Sequence, residues 1–81
     1  MKICKAKDFR TFEQNILPGE VVFIEKGGTV QVGVISYINP DSSDNYVHFE
    51  EIDSDTLETT MDIIHSLRLT KNDLLGATIT H

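Results

Sequence analysis

The sequence has few of the residues that build disulfide frameworks, phosphate-binding surfaces or membrane spans. Its one cysteine, Cys4, excludes an internal disulfide and a CxxC metal pair, so we expect a reducing, cytoplasmic environment. Seven basic residues stand against thirteen acidic ones, and the formal net charge of −6 argues against binding to nucleic acid or anionic membranes. The longest apolar runs, such as Val21–Ile24, are far shorter than the ~20 residues that span a bilayer. Met1–Lys5 does not have the character of a signal peptide.

The chain of 81 residues has room for one small hydrophobic core. No linker or change in composition divides it, so we expect a single domain over residues 1–81. Hydrophobic residues make up 40% and charged residues 25%, which is ordinary globular usage and argues against disorder. A domain of this length buries only roughly 60% of the surface that its unfolded chain exposes, so its core is thin. Association with another subunit would add buried surface and stability.

Two short elements are predicted before residue 20. Residues 1–4 are expected to form an edge strand, and Asp8 is a suitable N-cap for a short helix that Pro18 and Gly19 then end. The apolar residues of this helix have the spacing of a single buried face: Phe9, Phe12, Ile16 and Leu17.

A β-hairpin is predicted over residues 21–38. Two β-branched and aromatic runs, 21–25 and 29–38, flank Lys26, Gly27 and Gly28, and the glycines supply the positive φ angles of a tight turn. Apolar side chains change face within the second run near Gly33. We therefore predict that Gly33 forms a corner at which this strand bends from one sheet of a small barrel into another.

The second half of the chain is less regular. Residues 39–45 are turn formers and predict a loop, while residues 46–52 alternate and predict a strand with Val47 and Phe49 on its inner face. Residues 57–69 fit both a helical and an alternating pattern, and we favour strand, a helical turn at 62–64, then strand. Thr70 and Asp73 are typical of a capping box for one turn that ends at Gly76, after which residues 77–80 are expected to pair with the N-terminal strand.

This order of elements resembles the SH3-like small barrels, and in particular the Sm-like family with its bacterial Hfq branch. Residues 21–35 are similar to the first two strands of that fold, and residues 61–69 to the turn that joins its last two strands. The resemblance implies a mainly β fold, a small SH3-like or Sm-like barrel of about five antiparallel strands with a short N-terminal helix. Met61 and Asp62 stand where the bacterial branch has the Lys-His pair that holds uridine, and residues 58–60 replace the Arg-Gly pair of the eukaryotic branch. The resemblance therefore does not carry over uridine binding.

Signatures of an enzyme or a resident cofactor are missing from the sequence. It has no GxSxG, HExxH, GxxxxGK[ST] or GxGxxG motif, so we expect no catalytic activity and no cofactor. His48 and Glu50 share a strand face at i and i+2, but two ligands do not make a metal site, and we expect none.

Acidic residues are concentrated after the middle of the chain. Residues 50–58 contain five acidic side chains in nine positions, and Tyr46 and His48 border this run. Such a run is usually a solvated face, but an aromatic anchor beside it suits docking to a basic protein surface. The candidate partner-binding residues are Tyr46, His48, Glu50, Glu51 and Asp53.

Two hypotheses of function follow. The first is a non-enzymatic protein-binding module that uses this acidic and aromatic face, as small acidic proteins of phages and mobile elements do when they inhibit host nucleases or defence proteins. The second is an oligomeric Sm-like ring that binds a nucleotide or single-stranded RNA, for which residues 2–10 supply a locally basic segment. Assembly into a homo-oligomer is compatible with both hypotheses.

Overall fold

The computed structural model describes residues 2–41 and 43–81. Along the chain, its elements are β1 (Ile3–Lys5), α1 (Phe9–Asn15), β2 (Val21–Lys26), β3 (Thr29–Asn39), β4 (Tyr46–Ile52), a 3₁₀ helix (Ser54–Thr56), β5 (Ile63–Thr70), α2 (Lys71–Leu74) and β6 (Thr78–Thr80). Neither α-helix in these ranges is long and apolar enough to cross a membrane.

The strands form one antiparallel sheet in the order β1-β6-β2-β3-β4-β5. The prediction of a mainly β fold with a short N-terminal helix is confirmed, with six strands in the described residues instead of about five. The sheet is compatible with a small barrel-like fold, but it is open, because no pairing joins β1 to β5 within the described ranges. The chain leaves β5 through α2 and returns in β6 between β1 and β2, so β5 remains an edge.

Helix α1 begins where the sequence predicts it. The Asp8 carboxylate accepts hydrogen bonds from the backbone N–H and the hydroxyl of Thr11, at 2.8 and 2.9 Å. Three members of the predicted apolar face are buried, but Leu17 is 68% exposed, so its placement on that face was wrong. The helix ends at Asn15 and Ile16 is extended, with φ −113°, which takes Leu17 off the helical spacing.

The β2–β3 hairpin is also confirmed. Its two-residue turn has φ angles of 60° at Gly27 and 81° at Gly28, a conformation that residues with a Cβ atom rarely adopt. Lys26 and Thr29 pair across the turn as the last and first residues of their strands.

The irregular point of β3 lies three residues beyond the predicted corner. The β3–β4 register shifts between Ile35 and Tyr37, which puts the bulge at Ser36 instead of Gly33. Gly33 has another role, because a Cβ atom there would lie 2.7 Å from Cζ of Phe49. The absence of a side chain at Gly33 thus lets β4 pack closely against β3.

The core lies between α1, α2 and one face of the sheet. Val47 and Phe49 are both fully buried there, as the alternation in β4 predicts, and Leu67 and Leu69 of β5 pack against the core while half-buried. The remaining buried members of this cluster are Cys4, Phe9, Phe12, Ile16, Val22, Ile24, Ile35, Leu74, Ala77 and Ile79.

The segment between β4 and β5 is a turn, contrary to the favoured interpretation. Where a strand was expected from residue 57, residues 57–60 are turns, and residues 63–64 lie in β5 instead of a helical turn. Polar contacts close this turn: Thr56 accepts hydrogen bonds from the backbone N–H of Met61 at its carbonyl and from that of Asp62 at its hydroxyl, at 2.8 and 2.9 Å. The strand predicted at the end of the segment is confirmed in β5.

The C-terminal elements follow the predicted order. Asp73 accepts hydrogen bonds from the backbone N–H and hydroxyl of Thr70, at 2.8 and 3.0 Å, and Gly76 has a φ of 81° after α2. Strand β6 then pairs with β1, as expected, and on its other side with β2.

Candidate functional site

Alternation along β4 places three of the predicted partner-binding residues on one face of the sheet. Tyr46, His48 and Glu50 lie on the face opposite to the buried Val47 and Phe49. The side chain of His48 is exposed, and those of Tyr46 and Glu50 are half-buried.

The β3–β4 register adds a second tyrosine to this face. Tyr37 lies opposite His48, and its ring centroid is 5.8 Å from that of His48 and 6.1 Å from that of Tyr46. The rings of Tyr46 and His48 are 5.4 Å apart. Because these distances are typical of interacting aromatic pairs, the three rings form one cluster on the surface of the sheet. Tyr37 is 47% exposed, which leaves ring surface open to a partner.

Arg68 of β5 covers one side of the cluster. It lies opposite His48 in the β4–β5 register, and its guanidinium carbon is 4.0 Å from the ring centroid of Tyr46. Its Nη2 atom also donates to the two carboxylate oxygens of Asp44, at 2.8 and 3.0 Å. This arrangement compensates the arginine charge locally and holds Asp44 beside the cluster.

Glu50 is held in place by two serines. The hydroxyl of Ser66 on β5 donates to one carboxylate oxygen of Glu50, and that of Ser36 on β3 lies 3.4 Å from the other. A shallow depression of about 170 Å³ is formed at this point by His48, Glu50, Ser66, Leu67 and Arg68. The carboxylate is therefore presented in a fixed position beside the aromatic rings.

The other two predicted residues lie elsewhere. Glu51 points to the opposite side of the sheet, where its carboxylate is 3.0 Å from Nδ1 of His65 and its side chain is only 17% exposed. Asp53 follows β4, and its carboxylate accepts a hydrogen bond from the backbone N–H of Asp55. The five predicted residues thus do not form one continuous patch.

Most of the acidic run lies at one end of the sheet. Residues 53–62, which we call the acidic loop, join β4 to β5 and contain four acidic residues and no basic one. The side chains of Asp55, Glu58 and Asp62 are exposed. The acidic loop is therefore a source of negative potential adjoining the end of β4 that carries Glu50.

Metal-binding geometry is not found in residues 2–41 and 43–81, which contain no group of three or more His, Cys, Asp or Glu side chains able to hold an ion. His65 faces Glu51, and Nδ1 of His81 lies 3.3 Å from the carboxylate of Glu20. The pKa of Glu20 is lowered chiefly by the backbone N–H of Leu17, which donates to it at 2.6 Å. These are pairwise contacts, and none of them converges on a common centre.

Tyr37 and Arg68 belong to this site but were not predicted from the sequence. Arg68 stands between Leu67 and Leu69, and this alternation indicates an outward position that could have been noticed. No comparable signal exists for Tyr37, because its place opposite His48 depends on the bulge at Ser36.

Comparison with known protein families, with curated proteins and with solved structures gives no match to this chain.

Proposed function

We propose that this chain is a non-enzymatic protein-binding module. It docks on its partner through a surface that we call the aromatic face, made of Tyr37, Tyr46, His48, Glu50 and Arg68. The observation that carries the proposal is the cluster of three rings on the outer face of the sheet, with centroids 5.4 to 6.1 Å apart.

The composition of the aromatic face favours protein binding. Tyrosine and arginine are among the residues enriched at positions that dominate binding energy, since each offers a large apolar surface together with a polar group. Their positions here are fixed by cross-strand contacts and by the Arg68–Asp44 ion pair. Such a surface loses little conformational entropy when it binds.

The charge of the chain favours a partner with a basic surface. Glu50 supplies a fixed carboxylate on the aromatic face, the positive charge of Arg68 is compensated by Asp44, and the acidic loop adds four carboxylates at one end of the sheet. Opposite potentials accelerate encounter and orient the two proteins.

We place this activity in the cytoplasm, and we assign the fold to the SH3-like small barrels that the sequence resembles. Inhibition of a nuclease or defence protein, whose nucleic-acid groove is basic, is the role that we infer.

The proposal is tested by identifying a partner and then removing one ring. Partners captured from a lysate are identified by mass spectrometry, and the dissociation constant of the purified pair is measured for Tyr46→Ala, Tyr37→Ala and the control Leu17→Ala. Leu17 is an exposed hydrophobic residue outside the aromatic face. We expect each tyrosine variant to bind at least tenfold more weakly, since residues that anchor an interface contribute about 2 kcal/mol or more. Added salt should also weaken the wild-type complex, because it screens the attraction between the acidic chain and a basic partner. Unchanged affinity in both tyrosine variants, with folding intact by circular dichroism, contradicts the proposal.

The clustered rings and Arg68 also favour a second function, the binding of single-stranded RNA. Aromatic and guanidinium planes are the groups on which unpaired bases stack, whereas the net charge of −6 opposes the approach of phosphates. Fluorescence anisotropy with a labelled single-stranded RNA distinguishes the two functions. RNA binding that Tyr46→Ala abolishes and Leu17→Ala preserves would favour the RNA function over protein docking.

A further inference from the structure

The two edges of the sheet differ in length and in protection. Strand β1 has three residues, whereas β5 at the opposite edge has eight, Ile63–Thr70. In the part of the chain that the structure describes, no strand pairs with the outer edge of β5. Its outward backbone donors and acceptors form a template on which another strand can be added.

Strand β5 has few of the features that normally block such pairing. The β1 edge is short, follows Lys2 and ends with Lys5, and these two charges discourage the approach of another strand. By contrast, β5 begins with Ile63 and Ile64, whose side chains are 60% and 49% exposed. A long edge with exposed β-branched residues is expected to be covered by a further strand.

The charges at the two ends of β5 specify what covers it. Asp62 precedes the strand and is the last of the four acidic residues of the acidic loop, while Lys71 follows the strand at its other end. In an antiparallel pair of identical strands, each acidic end meets the basic end of the other copy. At a two-fold axis perpendicular to the sheet, a strand residue lies opposite its own copy. An axis at Ser66 places Asp62 opposite Thr70 of the other copy, next to its Lys71.

We propose that the partner of β5 is β5 of a second copy of this chain, in an isologous two-fold dimer whose sheet runs continuously through both copies. Pairing provides hydrogen-bond partners for the outward backbone groups of β5. It also covers the exposed parts of Leu67 and Leu69, which border the core. Because the axis is perpendicular to the sheet, the two aromatic faces lie on the same side. The dimer does not depend on the proposed function of that face.

The oligomeric state of the purified protein tests this proposal. Sedimentation equilibrium over a concentration series should give a reversible monomer–dimer system, and the amides of residues 63–70 should become more protected from hydrogen exchange as concentration rises. A monomer at every concentration, or a larger ring, overturns the proposal. Ile63→Lys should weaken the dimer at least tenfold, whereas the matched control Ile3→Lys, at the β1 edge, should not.

A charge exchange tests the two-fold geometry and does not rely on Ile63→Lys remaining folded. Asp62→Lys and Lys71→Glu should each form weaker homodimers, because each places like charges together twice. A mixture of the two variants restores opposite charges at both contacts and should form a heterodimer with wild-type affinity, detected by native mass spectrometry. Wild-type dimers combined with the absence of a favoured heterodimer would show that the interface lies elsewhere.

Discussion

Gly33 and Phe49 are in closer contact than any other residue at position 33 would allow. A Cβ atom on Gly33 would lie 2.7 Å from Cζ of Phe49, and it would come still nearer to the carbonyl oxygen of Glu50. This approach seats the fully buried Phe49 ring in the core, while the next residue, Glu50, turns its carboxylate toward Ser36 and Ser66. The contact between β3 and β4 thus links the packing of the core to the position of the aromatic face.

Gly33→Ala is therefore expected to destabilise the protein. The added methyl group meets backbone and a buried ring, neither of which can move freely, so the free energy of unfolding should fall by about 1–3 kcal/mol. Urea denaturation followed by circular dichroism measures the change. The control Val30→Ala, at an exposed position of the same strand, should change it by no more than about 0.5 kcal/mol. Equal stability of Gly33→Ala and the wild type would show that β3 and β4 separate at little cost.

The β2–β3 turn should discriminate between side chains by their tolerance of positive φ. Gly27 has a φ of 60°, in the left-handed region that costs most L-residues roughly 1–2 kcal/mol and that asparagine visits more readily. Gly27→Val should therefore destabilise the protein by about that amount, and Gly27→Asn by clearly less. Thermal unfolding of the two variants side by side measures the difference. Similar midpoints for both would mean that the turn relaxes to another conformation.

The parts of this fold that were predictable depend on local signals. The Gly27–Gly28 turn, the Asp8 cap and the alternation of β4 each act within a few residues, so their structure could be inferred from the sequence. The turn after β4 could not, because it is closed by contacts of Thr56 with residues five and six positions later.

The candidate site shows the same division. Tyr46, His48 and Glu50 share a face because side chains alternate along a strand with a period of two. Glu51 was predicted beside Glu50 because the two are neighbours in the sequence, but the same alternation places it on the opposite face. Tyr37 joins them only through the bulge in β3, which depends on how the core packs.

The buried thiol of Cys4 should be unreactive in the folded protein. Cys4 is 7% exposed, and burial raises the pKa of its thiol. The fraction present as thiolate, the form that reacts with alkylating and disulfide reagents, is therefore smaller. Reaction with a chromogenic disulfide at neutral pH should be at least about tenfold slower than in urea-unfolded protein, since it must wait for opening of the fold. A native rate equal to the unfolded rate would indicate that β1 detaches readily from β6.

The Asp8 cap predicts a defined loss of stability in acid. Hydrogen bonds from Thr11, first from its backbone N–H and then from its hydroxyl, lower the pKa of the Asp8 carboxyl below its ordinary value of 3.8. Because the folded-state pKa is the lower one, this stabilisation is complete above the unfolded-state value and is lost as the pH falls through the folded-state value. The melting temperature should therefore vary little on this account near neutral pH and decline at pH values below about 4.

Asp8→Asn isolates the contribution of Asp8 from those of Glu20 and Asp41, whose pKa values are also lowered by backbone N–H groups. Asparagine still accepts the N-terminal hydrogen bond but does not titrate, so the variant should form the helix and show a shallower decline of melting temperature in acid. Asp8→Ala, which loses the cap at every pH, should melt below the wild type at neutral pH as well. If Asp8→Asn declined as steeply as the wild type, the cap could not be a source of the acid sensitivity, and the remaining carboxylates would have to account for all of it.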